Sequence, residues 1–369
     1  MEETGDAFET PLDALHKSAG ATMGTWFYCV LPDYWTDPRV EQEFARKTVA
    51  LVDKNYRAYL SFTGPDRVRY LNAILTNDIK TLPAGQGNVS LLLNPQGHIL
   101  AEIETYALPE SLFCASYAMI RERLIEVVNK YIIMDDVTLT GESQRFGTLA
   151  IEGPRAAAVA QAIAGIDLSA LAELGRMEAT VASIPCWITK RSPGGVAGCE
   201  FLVEREKLAN LWGVLLESVK KHGGSPMGYA ALSAQRLAQG VPWFGYDFGE
   251  KQIPHEAGLQ DSHISYTKGC YTGQEIVERV RSRGQVNRRR VELIFDGAGV
   301  PAAGETLTVD GKEEGYVTRA AVPSFLSYAI GMGYVRKDHT ALGSRLNWSG
   351  GTAVVSKFSD ALLAAAKVE

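Results

Sequence analysis

No Cys-x-x-Cys pair occurs among the five cysteines, Cys29, Cys114, Cys186, Cys199 and Cys270. Neither a disulfide framework nor a zinc site is therefore expected, nor an iron-sulfur cluster ligated by this chain alone. The histidines lack the paired spacing of a metal site, so His255 and His263 read as structural and no metal is expected. A basic surplus is missing as well. The formal charge of -6 argues against a general nucleic-acid binder, which needs a net basic face for phosphate. No run reaches the roughly 18 to 20 uninterrupted apolar residues of a membrane helix, and Gln161 and Asp167 interrupt the Ala-rich stretch from Ala156 to Ala172. The start, MEETGDAFETP, carries acids where a secretory leader carries basic residues. These absences predict a cytoplasmic protein without a membrane partner, and a monomer is expected. What is present is globular: 369 residues, 46% hydrophobic and 22% charged, enough for two or three domains.

A repeated phrase organises the first two thirds. Tyr59 to Thr63 reads as a strand, Gly64-Pro65 as a turn, and Val68, Leu71, Ile74 and Leu75 as the apolar face of a helix. Thr148 to Ile151, Gly153-Pro154 and the apolar helix from Ala156 to Ile163 repeat it 89 residues later, with Pro in the first helical turn both times. A second pair agrees: strand 112–117 with helix 121–131, and strand 200–204 with helix 207–221. Between them Asn94-Pro95-Gln96-Gly97 has the form of a type I turn joining two strands. After Arg290, short strands divided by Asp296-Gly297, Asp310-Gly311 and Gly350-Gly351 predict a small all-β domain, barrel or sandwich, with no helix before Asp360. The segment Gly240 to His263, with Pro242, Trp243, Phe244, Tyr246 and Phe248, is either a lining for a site or an aromatic plug.

The stretch Lys268-Gly269-Cys270-Tyr271-Thr272-Gly273-Gln274-Glu275 carries the most chemistry. Thr272 and Glu275 have capping-box spacing, which predicts a helix from Gly273 to Gly284. Cys270 would then lie ahead of a helix start and beside Lys268, both of which favour a thiolate; the alternative is a loop cysteine that only packs. Arg279, Arg281, Arg283, Arg288, Arg289 and Arg290 form a basic cluster suited to an anion, or simply a solvated helix end.

The string K-G-C-Y-x-G-Q-E-x-x-x-R, satisfied from Lys268 to Arg279, resembles the signature of the YgfZ family, whose members bind folate and support iron-sulfur enzyme maturation. T-G-P-D-R at 63–67, T-N-D at 76–78, L-N-P-Q-G at 93–97, I-P-H-E-A-G-L at 253–259 and G-Y-V-T-R at 315–319 resemble the wider glycine-cleavage T-protein superfamily. The resemblance implies an α+β fold: two related, ferredoxin-like α+β domains and a C-terminal β-barrel around a central folate cavity. The corresponding boundaries are an N-terminal segment 1–40, domains 41–145 and 146–285, a barrel 286–360 and a tail 361–369. It implies tetrahydrofolate or another reduced folate, held by Ala101, Glu200, Arg236, Trp243, Tyr246 and Glu256. Cys270 and Lys268 are implied as the chemical pair, supported by Gly269, Tyr271, Thr272, Gly273, Gln274, Glu275 and Arg279.

Two departures bear on activity. Ala101 stands where the aminomethyltransferases of the superfamily carry an Asp, and Glu102 is one residue along, on the opposite face of a strand. Gly195-Val196-Ala197-Gly198 lacks the Glu of the transferases' G-Y-T-G-E segment, leaving Glu200 nearby. The expectation that results is a folate-binding accessory protein for iron-sulfur enzymes, acting through Cys270, with iron-sulfur proteins, their assembly factors or tRNA-modifying enzymes as partners. A tetrahydrofolate-dependent aminomethyltransferase or methyltransferase is the second reading, and a tRNA-modification-related binding module the third.

Overall fold

The computed structural model describes residues 7–192, 194–284 and 286–358; the tail 361–369 and Asp360 lie outside them. Both repeated phrases fold as strand, turn and helix, strand Arg57–Thr63 leading to helix Arg67–Ile74 and strand Phe146–Glu152 to helix Ala156–Ala164, but Pro65 and Pro154 lie in the turns, two residues ahead of each helix, and not in its first turn. The turns pass through Gly64 and Gly153 at φ +94° and +130°, a region that side chains avoid, which is why each phrase contains a glycine there. In each repeat the strand pairs antiparallel with a later one, 57–63 with Leu112–Tyr117 and 146–152 with Gly198–Glu204. Helices Arg121–Tyr131 and Leu208–Lys221 follow those partners.

The second repeat builds a six-stranded sheet in the order Arg176–Val181, Ile184–Thr189, 198–204, 146–152, Ala50–Asp53, Ser225–Pro226. Its strand 50–53 comes from ahead of the first repeat. The first repeat builds a five-stranded sheet in the order Gly87–Leu93, Ile99–Ala107, 112–117, 57–63, Thr138–Gly141. A three-stranded sheet, Phe8–Glu9, Cys29–Tyr34 and Thr22–Trp26, precedes both. The chain divides into two compact units, one of residues 1–72, 79–89 and 103–232, the other of 73–78, 90–102 and 233–369. That division does not follow linear boundaries at 145 and 285.

Alternation along the strands sorts apolar from charged residues in the first unit. Leu149, Ile151, Ile188, Phe201 and Val203 join Leu211, Trp212 and Leu215 of helix 208–221 in one apolar core. On the opposite face of the same strands stand Thr148, Glu152 and Glu200, all buried. In the second unit the all-β segment is a closed six-stranded barrel: Arg288–Gly297, Ala329–Arg336, Lys312–Ala321, Thr306–Val309, Arg345–Trp348, Gly351–Ser356. Leu293, Phe295, Val317, Val335 and Val355 fill it. Cys29, Cys114, Cys186 and Cys199 are buried as expected of small hydrophobes, and burial pushes each thiol pKa up, those of Cys29 and Cys114 to about 12. No helix among the described residues is long and apolar enough to cross a membrane.

Candidate functional site

In the first unit, charges that the strand pattern turns inward meet in ion pairs. Lys54, which follows strand 50–53, is 1% exposed and pairs with Glu200. Arg57 opens strand 57–63 and pairs with Glu104 of strand 99–107. Arg191 approaches Glu104 from the other side, Nη2 to Oε1 at 3.0 Å, and Tyr106 Oη donates to Glu104 Oε2 at 2.9 Å. Burial raises the Glu104 pKa, but the charges of Arg57, Arg191 and Lys54 outweigh it and hold the carboxyl far below its usual range. Burial pushes the Lys54 pKa down, because water no longer supports its charge. Glu152 accepts from Ser192 Oγ at 3.0 Å and Gly194 N at 3.0 Å, and burial lifts its pKa to about 7. A cluster of this kind can exchange protons near neutral pH away from bulk water.

Of these residues the sequence reading singled out only Glu200. It missed Lys54, Arg57, Glu104, Glu152 and Arg191, although one signal was present: Glu102, Glu104 and Tyr106 alternate with Ala101, Ile103 and Thr105 along a strand, so charged residues had to face one side. Ala101 is itself buried at 1% exposure, and strand register leaves Glu102 on the other face, where His263 Nε2 meets Glu102 Oε1 at 3.0 Å.

In the second unit, Arg236 is fully buried beneath the Trp243 ring, 4.7 Å from its centroid, and pairs with Asp247. Arg236 Nε and Nη2 have no hydrogen-bond partner among the described residues. Trp243 is buried, and Tyr246 packs edge-on to it at 6.1 Å with the Arg319 guanidinium over its own ring. Glu256 accepts from Arg288 Nε at 3.3 Å. The aromatic segment is thus partly a plug, with Trp243, Phe244 and Phe248 all buried.

The capping box at the cysteine motif does not form. Helix Gln274–Arg283 begins one residue later than expected, with Gly273 as its cap at φ +81° and no side-chain cap hydrogen bond. Asn94 O would lie 2.7 Å from a Cβ at Gly273, so only glycine fits this start. Lys268 donates Nζ to the Leu75 and Asn77 carbonyls, and burial lowers its pKa to about 8. Its ammonium therefore serves backbone oxygens. Cys270, Gly269, Glu275 and Arg279 are exposed, Tyr271 is buried, and Thr272 and Gln274 are half-buried. Gly273→Ala should cost at least about 1 kcal/mol, seen as faster amide exchange over 274–277. Thr272→Ala should change exchange there by less than about 0.5 kcal/mol.

Curated relatives span nearly the whole chain. An aminomethyltransferase of Streptomyces avermitilis is 27% identical over 338 residues, 91% of each chain, and one of Halothermothrix orenii is 25% identical over 349 residues, 92% of this chain and 94% of the relative. The crystal structure of glycine cleavage system aminomethyltransferase T from Bartonella henselae superposes with a TM-score of 0.87 at 22% identity, covering 95% of this chain and 97% of that one. These matches overturn the leading expectation from the sequence, an iron-sulfur accessory protein working through Cys270, with iron-sulfur or tRNA-modification partners. Residues 12–263 match the GCVT N-terminal domain and residues 288–352 the glycine cleavage T-protein C-terminal barrel domain. The first match alone covers more than half of the 369 residues, and the chain therefore belongs to the GCVT family.

Proposed function

We propose that this protein is a tetrahydrofolate-dependent aminomethyltransferase of the T-protein type, which moves a one-carbon unit from an aminomethylated carrier to tetrahydrofolate and releases ammonia. The observation that carries the reading is the solvent-excluded charge cluster around Lys54 and Glu200, in a chain whose curated relatives share the name aminomethyltransferase over nine tenths of its length. The same relatives favour the T-protein branch over the YgfZ branch. Tetrahydrofolate, when bound, supplies the nitrogens that take up the carbon.

The residues present suit a reduced folate. Arg236 has two buried donors, Nε and Nη2, without a partner among the described residues, and orphaned donors of this kind suit the ring nitrogens and oxygen of a polar heterocycle. Trp243, Tyr246 and Arg236 would hold it. Loss of an amine as ammonia requires a proton, and Lys54, whose pKa burial lowers and whose partner is Glu200, is a group able to store one.

Turnover with an aminomethylated lipoyl carrier and tetrahydrofolate tests this reading. The wild-type chain should turn over, and Glu200→Gln, which keeps the shape but not the charge, should lower the rate by ~10²-fold with the fold intact. A folded wild-type protein that binds tetrahydrofolate without turnover, or a Glu200→Gln variant as fast as wild type, would refute it.

A further inference from the structure

Arg176 is an unusual residue in the first unit. It opens strand 176–181, is only 9% exposed, and lies over three aromatic rings: Tyr106 at 4.2 Å, Phe113 at 4.9 Å and Trp187 at 5.9 Å from their centroids. Its single side-chain hydrogen bond among the described residues runs from Nε to Thr189 Oγ1 at 3.2 Å, with the cross-strand neighbour. No carboxylate among the described residues pairs with it. The nearby carboxylates are engaged elsewhere: Glu104 with Arg57 and Arg191, Glu200 with Lys54.

A buried cation without a counter-charge is costly, and the aromatic faces offset only part of that cost. Burial duly lowers the Arg176 pKa, yet a guanidinium stays charged at any physiological pH. Three rings crowd the guanidinium and Thr189 takes Nε, which leaves Nη1 and Nη2 without a hydrogen-bond partner among the described residues. A fork of two such donors matches the two oxygens of a carboxylate held in the same plane.

We infer that Arg176, caged by Tyr106, Phe113 and Trp187, is a carboxylate-binding site whose ligand supplies the missing counter-charge. Closely packed rings on a guanidinium favour a flat head over a tetrahedral one, so a carboxylate should bind better than inorganic phosphate. The carboxylate can belong to a free amino acid such as glutamate or to the glutamate moiety of a folate. The site stands on its own geometry and survives if the proposed transfer reaction fails.

The test uses the full chain at constant ionic strength, with sodium chloride replaced stepwise by sodium formate, sodium L-glutamate or sodium phosphate. Formate and glutamate should raise the melting temperature and change the Trp187 emission, which Trp187→Phe would remove, and phosphate should do so at least threefold more weakly. Arg176→Met, which keeps the aliphatic stem between the rings, should weaken glutamate binding at least tenfold, and without added carboxylate it should melt no lower than wild type. If Arg176→Met also weakens tetrahydrofolate binding, the glutamate moiety of folate is the source; if folate binding is unchanged, a free carboxylate is. A wild-type protein indifferent to both carboxylates would overturn the site, and so would an Arg176→Met variant that binds glutamate as well as wild type. Should Arg176→Met fail to fold, the wild-type titrations and Arg176→Lys, which keeps the charge but loses the fork, still decide it.

Discussion

Glu104→Ala should destabilise the protein by about 3 to 5 kcal/mol, the penalty for leaving a buried cation without its partner. The change strands the buried Arg57 guanidinium, takes one of its carboxylate partners from Arg191, which keeps Glu173 at 4.0 Å, and removes the acceptor of Tyr106 Oη. Urea denaturation should show the loss as a lower midpoint with the slope unchanged. Glu104→Gln should fall between, since an amide oxygen still accepts from one Arg but carries no charge. The pair also sets a direction for acid sensitivity. The folded-state pKa of Glu104 lies below the ordinary value of about 4.3, so its contribution is complete above that pH and disappears as pH falls through the folded value. Wild type should therefore lose stability steeply below about pH 4.3, and Glu104→Ala much less so. Equal acid slopes in the two proteins would mean that the ion pair contributes nothing net.

The repeats were legible because they rest on local chemistry. Gly64-Pro65 and Gly153-Pro154 each stop a strand and start a helix, and that signal needs no knowledge of tertiary contacts. The barrel was legible for the same reason: paired turn residues recur at short spacing. Strand 50–53 was not, since its place between 146–152 and 225–226 depends on two pairings, across roughly 100 and roughly 175 residues, that no local pattern encodes. The cap of helix 274–283 misled because Thr272-x-x-Glu275 has the right spacing, while Asn94 O, brought in by the turn at 94–97, leaves room only for Gly273 in a left-handed conformation.

The site was less legible than the fold, for a physical reason. Sequence reading weighs residue types with evident reactivity, so Cys270 drew attention; yet it is exposed, and the Lys268 beside it is bound to backbone carbonyls. The charge cluster of the first unit uses ordinary Lys, Arg and Glu residues, whose significance comes from burial alone. Lys54-Asn55-Tyr56-Arg57 looks like a polar loop between two strands, and only the pairing partners Glu200 and Glu104, 146 and 47 residues away, turn it into part of a site. Ala101 had a comparable effect in the other direction. A missing carboxylate at one position argued against a transferase, although Glu104 and Glu152 provide buried carboxylates in the first unit.

Asp247→Ala should be as damaging in the second unit, again by about 3 to 5 kcal/mol. Asp247 and Arg236 are both without side-chain exposure, and the carboxylate binds more than its ion-pair partner. Oδ2 also accepts from Trp243 N at 2.9 Å, and Oδ1 from Thr318 Oγ1 at 2.6 Å. One side chain thus ties helix Tyr229–Ala238, which carries Arg236, to the aromatic segment and to barrel strand 312–321. Removing it leaves a buried guanidinium without its counter-charge and the Trp243 amide short of an acceptor, while Thr318 Oγ1 can still donate to Met332 O at 3.0 Å. Asp247→Asn should recover part of the loss, because its amide oxygen can serve one of the three donors. The two ion pairs lie in different compact units and share no partner, so the double change Glu104→Ala and Asp247→Ala should cost the sum of the single changes within about 0.5 kcal/mol. Denaturation of the three variants beside wild type decides this. If Asp247→Ala costs under about 1 kcal/mol, burial of the Arg236 pair is not what holds Trp243 in place, and the residues assigned to folate are not preorganised by it.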